Sequence, residues 1–234
     1  MMMNTSTYPH ILLIDKPVGI SSFDVIRRLR PKLNIRKMGH AGTLDPLASG
    51  LMIIGVGEGT KQLTELTKLD KEYVTEILVG ERTESGDKDG RVLEEREVTE
   101  VEATETFSKE KVSVALTSMV GTLTLPVSAF SAIKQDGVPF YKKARVAARQ
   151  GEVIQDSELP VREMRVYEAE LLDIKYDTET KTVIIKARFH VGSGTYVRSL
   201  GEELGKRLGN YPARLESLRR TKVGEFRVED AVEI

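Results

Sequence analysis

The 234-residue chain contains no cysteine, which removes disulfides, thiolate zinc sites and thiol nucleophiles together. Its three histidines, His10, His40 and His190, have no metal-ligand spacing among themselves, so no metal is implied. No apolar run approaches the roughly 20 residues that span a bilayer. The opening MMMNTSTYPH has neither a basic n-region nor an apolar h-region, and the expected location is therefore the cytoplasm. Internal repeats, low-complexity linkers and a composition break are also missing, so residues 1–234 are read as a single domain. The net charge is only −1, and the total says nothing of a charged partner.

What is present is segregated charge and ordinary core material. Hydrophobic residues make up 40% and charged residues 30%, the balance of a globular protein. Arg27, Arg28, Arg30, Lys32, Arg36 and Lys37 occur without an intervening acid. A second basic stretch holds Lys134, Lys142, Lys143, Arg145 and Arg149 against Asp136 alone, and a third runs from Lys206 to Lys222 with Arg214, Arg219 and Arg220. Between Glu81 and Glu110 eleven acids face five bases, a net of −6, and that segment reads as a surface insertion. Such segregation suits a polyanion held on one face, although each run taken alone reads better as a solvated helix face.

The pattern predicts a strand over 11–14, a helix over about 23–30 capped by Ser21 or Ser22, a core strand in LMIIGVG, and a helix with Leu63, Leu66 and Leu69 on one side. Further along it predicts a strand over 73–79, helices over 109–119 and 139–150, a hairpin of strands 164–176 and 182–191, and a helix ending near Gly209. Strands in hairpin succession without a βαβ rhythm indicate an α+β fold with a mixed, largely antiparallel sheet flanked by helices.

The segment GHAGTLDPLASG holds Gly39, Gly42 and Gly50, His40, Pro46 and one acid, Asp45. Glycine permits positive φ and close approach, and Pro46 stiffens the chain after Asp45. The segment can be a rigid mount for a reactive carboxylate or an Asp-Pro turn bonded to its own backbone. It lacks the Gly-Lys-Ser/Thr ending of a phosphate-cradling loop.

This loop, with DKPVGISSFDVIRRLR before it and LMIIGVGEGTK after it, resembles the bacterial tRNA pseudouridine synthases of the TruB family. The blocks KEYVTEILVGERTESGDKDG, SAFSAIKQDGVPFYKKAR, GSGTYVRSLGEELGKRLG and LESLRRTKVG follow in the family's order. The resemblance implies the pseudouridine synthase fold and a cofactor-free isomerase that turns uridine 55 of the tRNA T-loop into pseudouridine. It implies Asp45 as the nucleophile that forms a covalent adduct, a role that suits a chain without thiols. Tyr73 is implied to stack on the flipped base, Arg198 to pair with the aspartate, and His40, Tyr196 and Leu218 to contact the substrate. Lys16, Pro17 and Gly42 are implied to support the loop. Phe130 stands where the family commonly has tyrosine. About ten residues follow LRRTKVG, so the chain reads as a short form without the PUA-type C-terminal RNA-binding domain, leaving phosphate contacts to the basic segments. It is expected to act as a monomer on tRNA, without a guide RNA. A silent RNA-binding or tRNA-folding module of the same fold is the alternative.

Overall fold

The computed structural model describes residues 10–131, 133–135 and 138–234. Residues 1–9, Ala132 and Asp136 of the second basic stretch lie outside the described residues, as does the side chain of Lys134. The chain divides into two compact units, one running to Val74 and including Leu218–Ile234, the other Thr75–Ser217.

The first unit opens with β1 (Ile11–Lys16), α1 (Ser22–Leu33), β2 (Met38–His40) and β3 (Ala48–Val56). A 3₁₀ turn over Gly57–Gln62 leads into α2 (Leu63–Lys68) and β4 (Lys71–Val79), whose last five residues belong to the second unit. β3 has seven consecutive buried residues, Gly50–Val56, and is flanked on both edges: β1 pairs with it antiparallel, from Ile11 opposite Gly55 to Lys16 opposite Gly50, and β2 pairs with its far end. Helix α1 buries Val25, Ile26 and Leu29 on one face. Ser21 is its cap, accepting from Asp24 N–H while the Asp24 carboxylate accepts from Ser21 N–H. The helix runs past the predicted end and carries Pro31 in its last turn, which leaves the Arg27 carbonyl without its i+4 N–H donor, before stopping at Asn34 with φ 52°. Leu63, Leu66 and Leu69 pack as expected, against Ala41, Leu51, Ile53, Val223 and Val228.

The second unit continues with β5 (Glu81–Thr83), β6 (Val92–Glu95), α3 (Glu100–Glu105), α4 (Lys109–Ser118), β7 (Gly121–Pro126), β8 (Lys134–Gln135), β9 (Val138–Pro139) and α5 (Phe140–Arg149). Then come β10 (Val161–Asp177), β11 (Thr182–Val191), α6 (Val197–Arg207) and β12 (Ala213–Val223), the last of which passes back into the first unit. Short strands β13 (Phe226–Arg227) and β14 (Val232–Glu233) finish the chain. The hairpin β10–β11 is antiparallel from Val166 opposite Val191 to Asp177 opposite Thr182. β7 adds to the other side of β10. Parallel pairs are β1 with β14 and β3 with β12, so the sheet is mixed and the fold is α+β.

The acidic segment is more than an exposed insertion. It forms the two-stranded β5–β6 ribbon and helix α3, and its acids are used inside the molecule. Glu81 bonds Arg214, Glu94 reaches Arg82 at 3.5 Å, Glu97 holds Lys181 at 2.7 Å, and Glu102 takes Arg96 at 3.0 Å and the Tyr211 hydroxyl. Those bonds hold the Glu102 carboxyl down at about 2, with the Tyr211 hydroxyl the largest cause. The strand β12 was not anticipated either. Its Arg214 and Arg220 are buried, and Arg214, Arg219 and Arg220 each meet a partner, which charge alone does not reveal.

Candidate active site

Asp45 is half-buried in the seven-residue connection between β2 and β3, and nearly every neighbour is tied down. Ala41 N–H donates to Ile53 O at 2.9 Å. Leu44 is gripped from both sides by one hydroxyl: its N–H donates to Ser22 Oγ at 2.7 Å, and Ser22 Oγ donates to its carbonyl at 2.8 Å. Gly19 N–H donates to Pro46 O at 2.8 Å, and Ala48 N–H closes the turn onto Asp45 O at 3.1 Å.

Arg220 fastens the loop from beneath. Only 1% exposed, its guanidinium donates to Leu51 O at 2.7 Å, Gly42 O at 3.2 Å and Thr43 O at 3.4 Å. The approach is close enough to require glycine: at Gly50, with φ +104°, a Cβ would lie 2.2 Å from the Arg220 carbonyl oxygen, and Gly42 has φ +95°. In-register parallel pairing puts Arg220 opposite Gly50 and Leu218 opposite Ala48. Leu218 itself is 8% exposed.

Lys16 is fully buried and donates to Pro17 O and Ile20 O, both at 2.8 Å. That pins the bend whose Gly19 holds Pro46. Pro17 itself is exposed. Burial drives the Lys16 ammonium down to about 8, Arg220 adds to the shift, and the opposite charge of Asp45 resists it. Lys71, also buried, donates to Thr67 O at 2.5 Å and to Leu69 O, and burial with the Arg220 charge lowers it to about 8. Tyr73, 8% exposed, shares the same face of β4. His40 is half-buried on β2. Burial and then Arg220 push its pKa below the usual value, leaving a neutral imidazole at physiological pH. Asp45 therefore sits on a loop backed by three buried cations, Lys16, Lys71 and Arg220.

The remaining implied residues belong to the second unit. Arg198, on α6 and 5% exposed, donates to Ser85 O at 2.7 Å, Ser128 Oγ at 3.2 Å and Phe130 O at 3.2 Å, and lies 3.7 Å from Asp87 Oδ2. Tyr196 is half-buried at the start of that helix. Phe130 packs against the cluster of Ala129, Phe140 and Ala144.

The match that decides the family lies over residues 30–197, which fit the model for the TruB family pseudouridylate synthase (N terminal domain). The chain belongs to the TruB family. Relatives called tRNA pseudouridine synthase B include that of Opitutus terrae, 41% identical over 95% of this chain and 84% of its own length. Those of Desulfotalea psychrophila and Corynebacterium efficiens are 39% and 37% identical, each over 95% of this chain, and the match spans 85% and 69% of their lengths. The solved Cbf5-Nop10-Gar1 complex contains a chain of the same fold, with TM-score 0.65 and 25% identity over 98% of this chain. This chain spans about half of that one, 56%.

Sequence reasoning missed Ser22 as a loop clamp, Lys71, Asp87, Gly50 and Arg220. In the third basic stretch three of the arginines are engaged within the molecule. Arg220 is buried, Arg214 pairs with Glu81 and Glu216, and Arg219 grips Asp15 at 2.6 Å. The one available signal was Gly50, whose place in a core strand points to close backbone approach. Among the described residues no cluster of three or more His, Asp or Glu could hold a metal, and no helix is long and apolar enough to cross a membrane.

Proposed function

We propose that this chain is a cofactor-free isomerase that converts uridine 55 in the T-loop of tRNA to pseudouridine, acting in the cytoplasm as a monomer and without a guide RNA. The observation that carries the proposal is the 41% identity to a tRNA pseudouridine synthase B over 95% of the chain, joined to a loop that holds a single carboxylate in one position. In the reaction the C1′–N1 bond breaks and C1′ rejoins at C5. The hydrogen on C5 leaves to solvent and N1 takes up a proton, so atoms balance without an oxidant or reductant. Asp45 acts as the nucleophile of the covalent adduct, Tyr73 as the stacking surface for the extruded base and Arg198 as the countercharge of the aspartate. His40, Tyr196 and Leu218 contact the substrate, and Lys16, Pro17 and Gly42 support the loop. Both compact units serve one catalytic domain in this reading. A neutral His40 suits a contact to bases rather than to phosphate.

The test is tritium release from C5-labelled uridine in a tRNA transcript. Wild-type protein should release it, and Asp45→Asn should not, while binding tRNA within a few-fold, because the amide is nearly isosteric yet not nucleophilic. Turnover by the variant overturns Asp45 as nucleophile. Failure of the wild type to release tritium leaves the RNA-binding module.

A further inference from the structure

The one aromatic on α1 follows directly the residue that clamps the loop carrying Asp45. Phe23 is 54% exposed although it is next to Ser22, the residue that clamps Leu44. The path from the ring to the carboxylate is thus one peptide bond, one hydrogen-bonded clamp and one more peptide bond, all within the first unit. Arg27 and Arg30 follow at i+4 and i+7 and bring their guanidinium carbons to 6.0 and 5.7 Å from the ring centroid. Helical side chains lean toward the N-terminus, so both cations approach the ring from its C-terminal side. About half of the ring surface stays open to solvent, and five residues before it is Val18, 64% exposed.

A lone exposed phenylalanine needs no explanation. This one has two guanidinium groups within 6.0 Å of its centroid, on a helix whose polar side continues with Arg28 and Lys32, with Arg36 just past its end, all exposed. Asp24 is the one acid on α1 and is engaged by Arg27 at 2.5 Å and by the Ser21 cap. A protein partner that buried this face would have to desolvate the cations. A single-stranded nucleic acid satisfies both features, stacking a base on the ring and placing phosphates at the guanidiniums.

We infer that Phe23, flanked by Arg27 and Arg30, is a stacking platform for an unpaired RNA nucleotide next to the extruded uridine. This inference rests on the proposed tRNA substrate. The platform is fixed to the Asp45 loop by Ser22, so a base seated on it sets the position of the neighbouring nucleotide.

The probe is a T-arm hairpin RNA with 5-iodouridine at loop positions other than the target. Irradiation should cross-link it to the peptide holding Phe23. Phe23→Ala should weaken binding about tenfold, with KM rising in parallel, since base stacking on an aromatic is worth about 1–3 kcal/mol. Phe23→Trp should restore tight binding, and Arg27→Gln and Arg30→Gln should each reduce the salt slope of log Kd by about one. Because the ring is half-exposed, Phe23→Ala should melt with the wild type. If the alanine variant binds within twofold of the wild type and no cross-link reaches Phe23, the platform is refuted while the assigned activity stands. A wild-type protein that binds no T-arm RNA refutes both.

Discussion

Replacing Arg220 with methionine tests whether the loop is held by the buried guanidinium. The side chain is 1% exposed and supplies one short bond, to Leu51 O at 2.7 Å, and two longer ones, to Gly42 O and Thr43 O at 3.2 and 3.4 Å. A bond from a charged donor contributes about 1.5–3 kcal/mol; counting the longer pair at about 1 kcal/mol each gives roughly 4 kcal/mol. Part of this returns, because Arg220 lowers the pKa values of both Lys16 and Lys71 and a buried cation carries a desolvation cost. The net loss is about 3 kcal/mol, or a fall in Tm of roughly 6–12 °C for a chain of this size. Since two bonds end on the loop itself, activity should drop about 10- to 100-fold at temperatures well below melting. Thermal denaturation and single-turnover tritium release read the two effects separately. A third readout is NMR of labelled lysine, where both ammonium pKa values should rise from about 8 toward 10.5. A variant that melts within 2 °C of wild type at full single-turnover rate refutes the reasoning.

Ser21 and Ser22 should separate sharply. Ser21→Ala loses a cap worth about 1 kcal/mol, whereas Ser22→Ala strands the buried Leu44 N–H and C=O at about 1–3 kcal/mol and should lower the rate of tritium release, an effect that Ser21→Ala should lack. Gly50→Ala should fail to fold or lose several °C more than Arg220→Met, because its Cβ would sit 2.2 Å from a backbone oxygen; a soluble variant with wild-type melting contradicts the pairing of β3 with β12. Stability should rise with pH above about 8. Lys16 and Lys71 give up protons near 8 in the folded chain but near 10.5 when unfolded, so the charge-burial penalty is complete below 8 and is relieved above it. The rise should stall beyond pH 10, where Tyr211, held up to about 12, begins to ionise only in the unfolded chain. Urea midpoints at pH 7.5, 8.5 and 9.5 check this, and a falling series counts against the buried lysines. In Asp45→Asn the rise should begin at lower pH, because the aspartate charge supports the protonated Lys16.

Elements whose own residues set their period were legible in advance: α1 from a serine cap and Val25, Ile26, Leu29; α2 from three spaced leucines; the β10–β11 hairpin from two long strands around DTETK. The elements that were missed depend on partners elsewhere. β12 reads as a basic segment because Arg214, Arg219 and Arg220 dominate it, and only Glu81, Asp15 and the loop carbonyls make those charges compatible with a strand. The β5–β6 ribbon and α3 were hidden by an acid excess that the fold answers with Arg82, Arg96, Lys181 and Arg214.

The same division runs through the site. The sequence alone determined which side-chain chemistry is available, that no thiol accompanies Asp45, and that glycine and proline stiffen its loop, since these follow from residue identity and local backbone limits. Tertiary structure decided what holds the loop and sets its charge. Ser22 reaches Leu44 across 22 positions and Arg220 reaches Leu51 across 169, and burial moves Lys16 and Lys71 to about 8. Desolvation and bonds between distant segments exist only once the chain has closed on itself, and no local pattern encodes them.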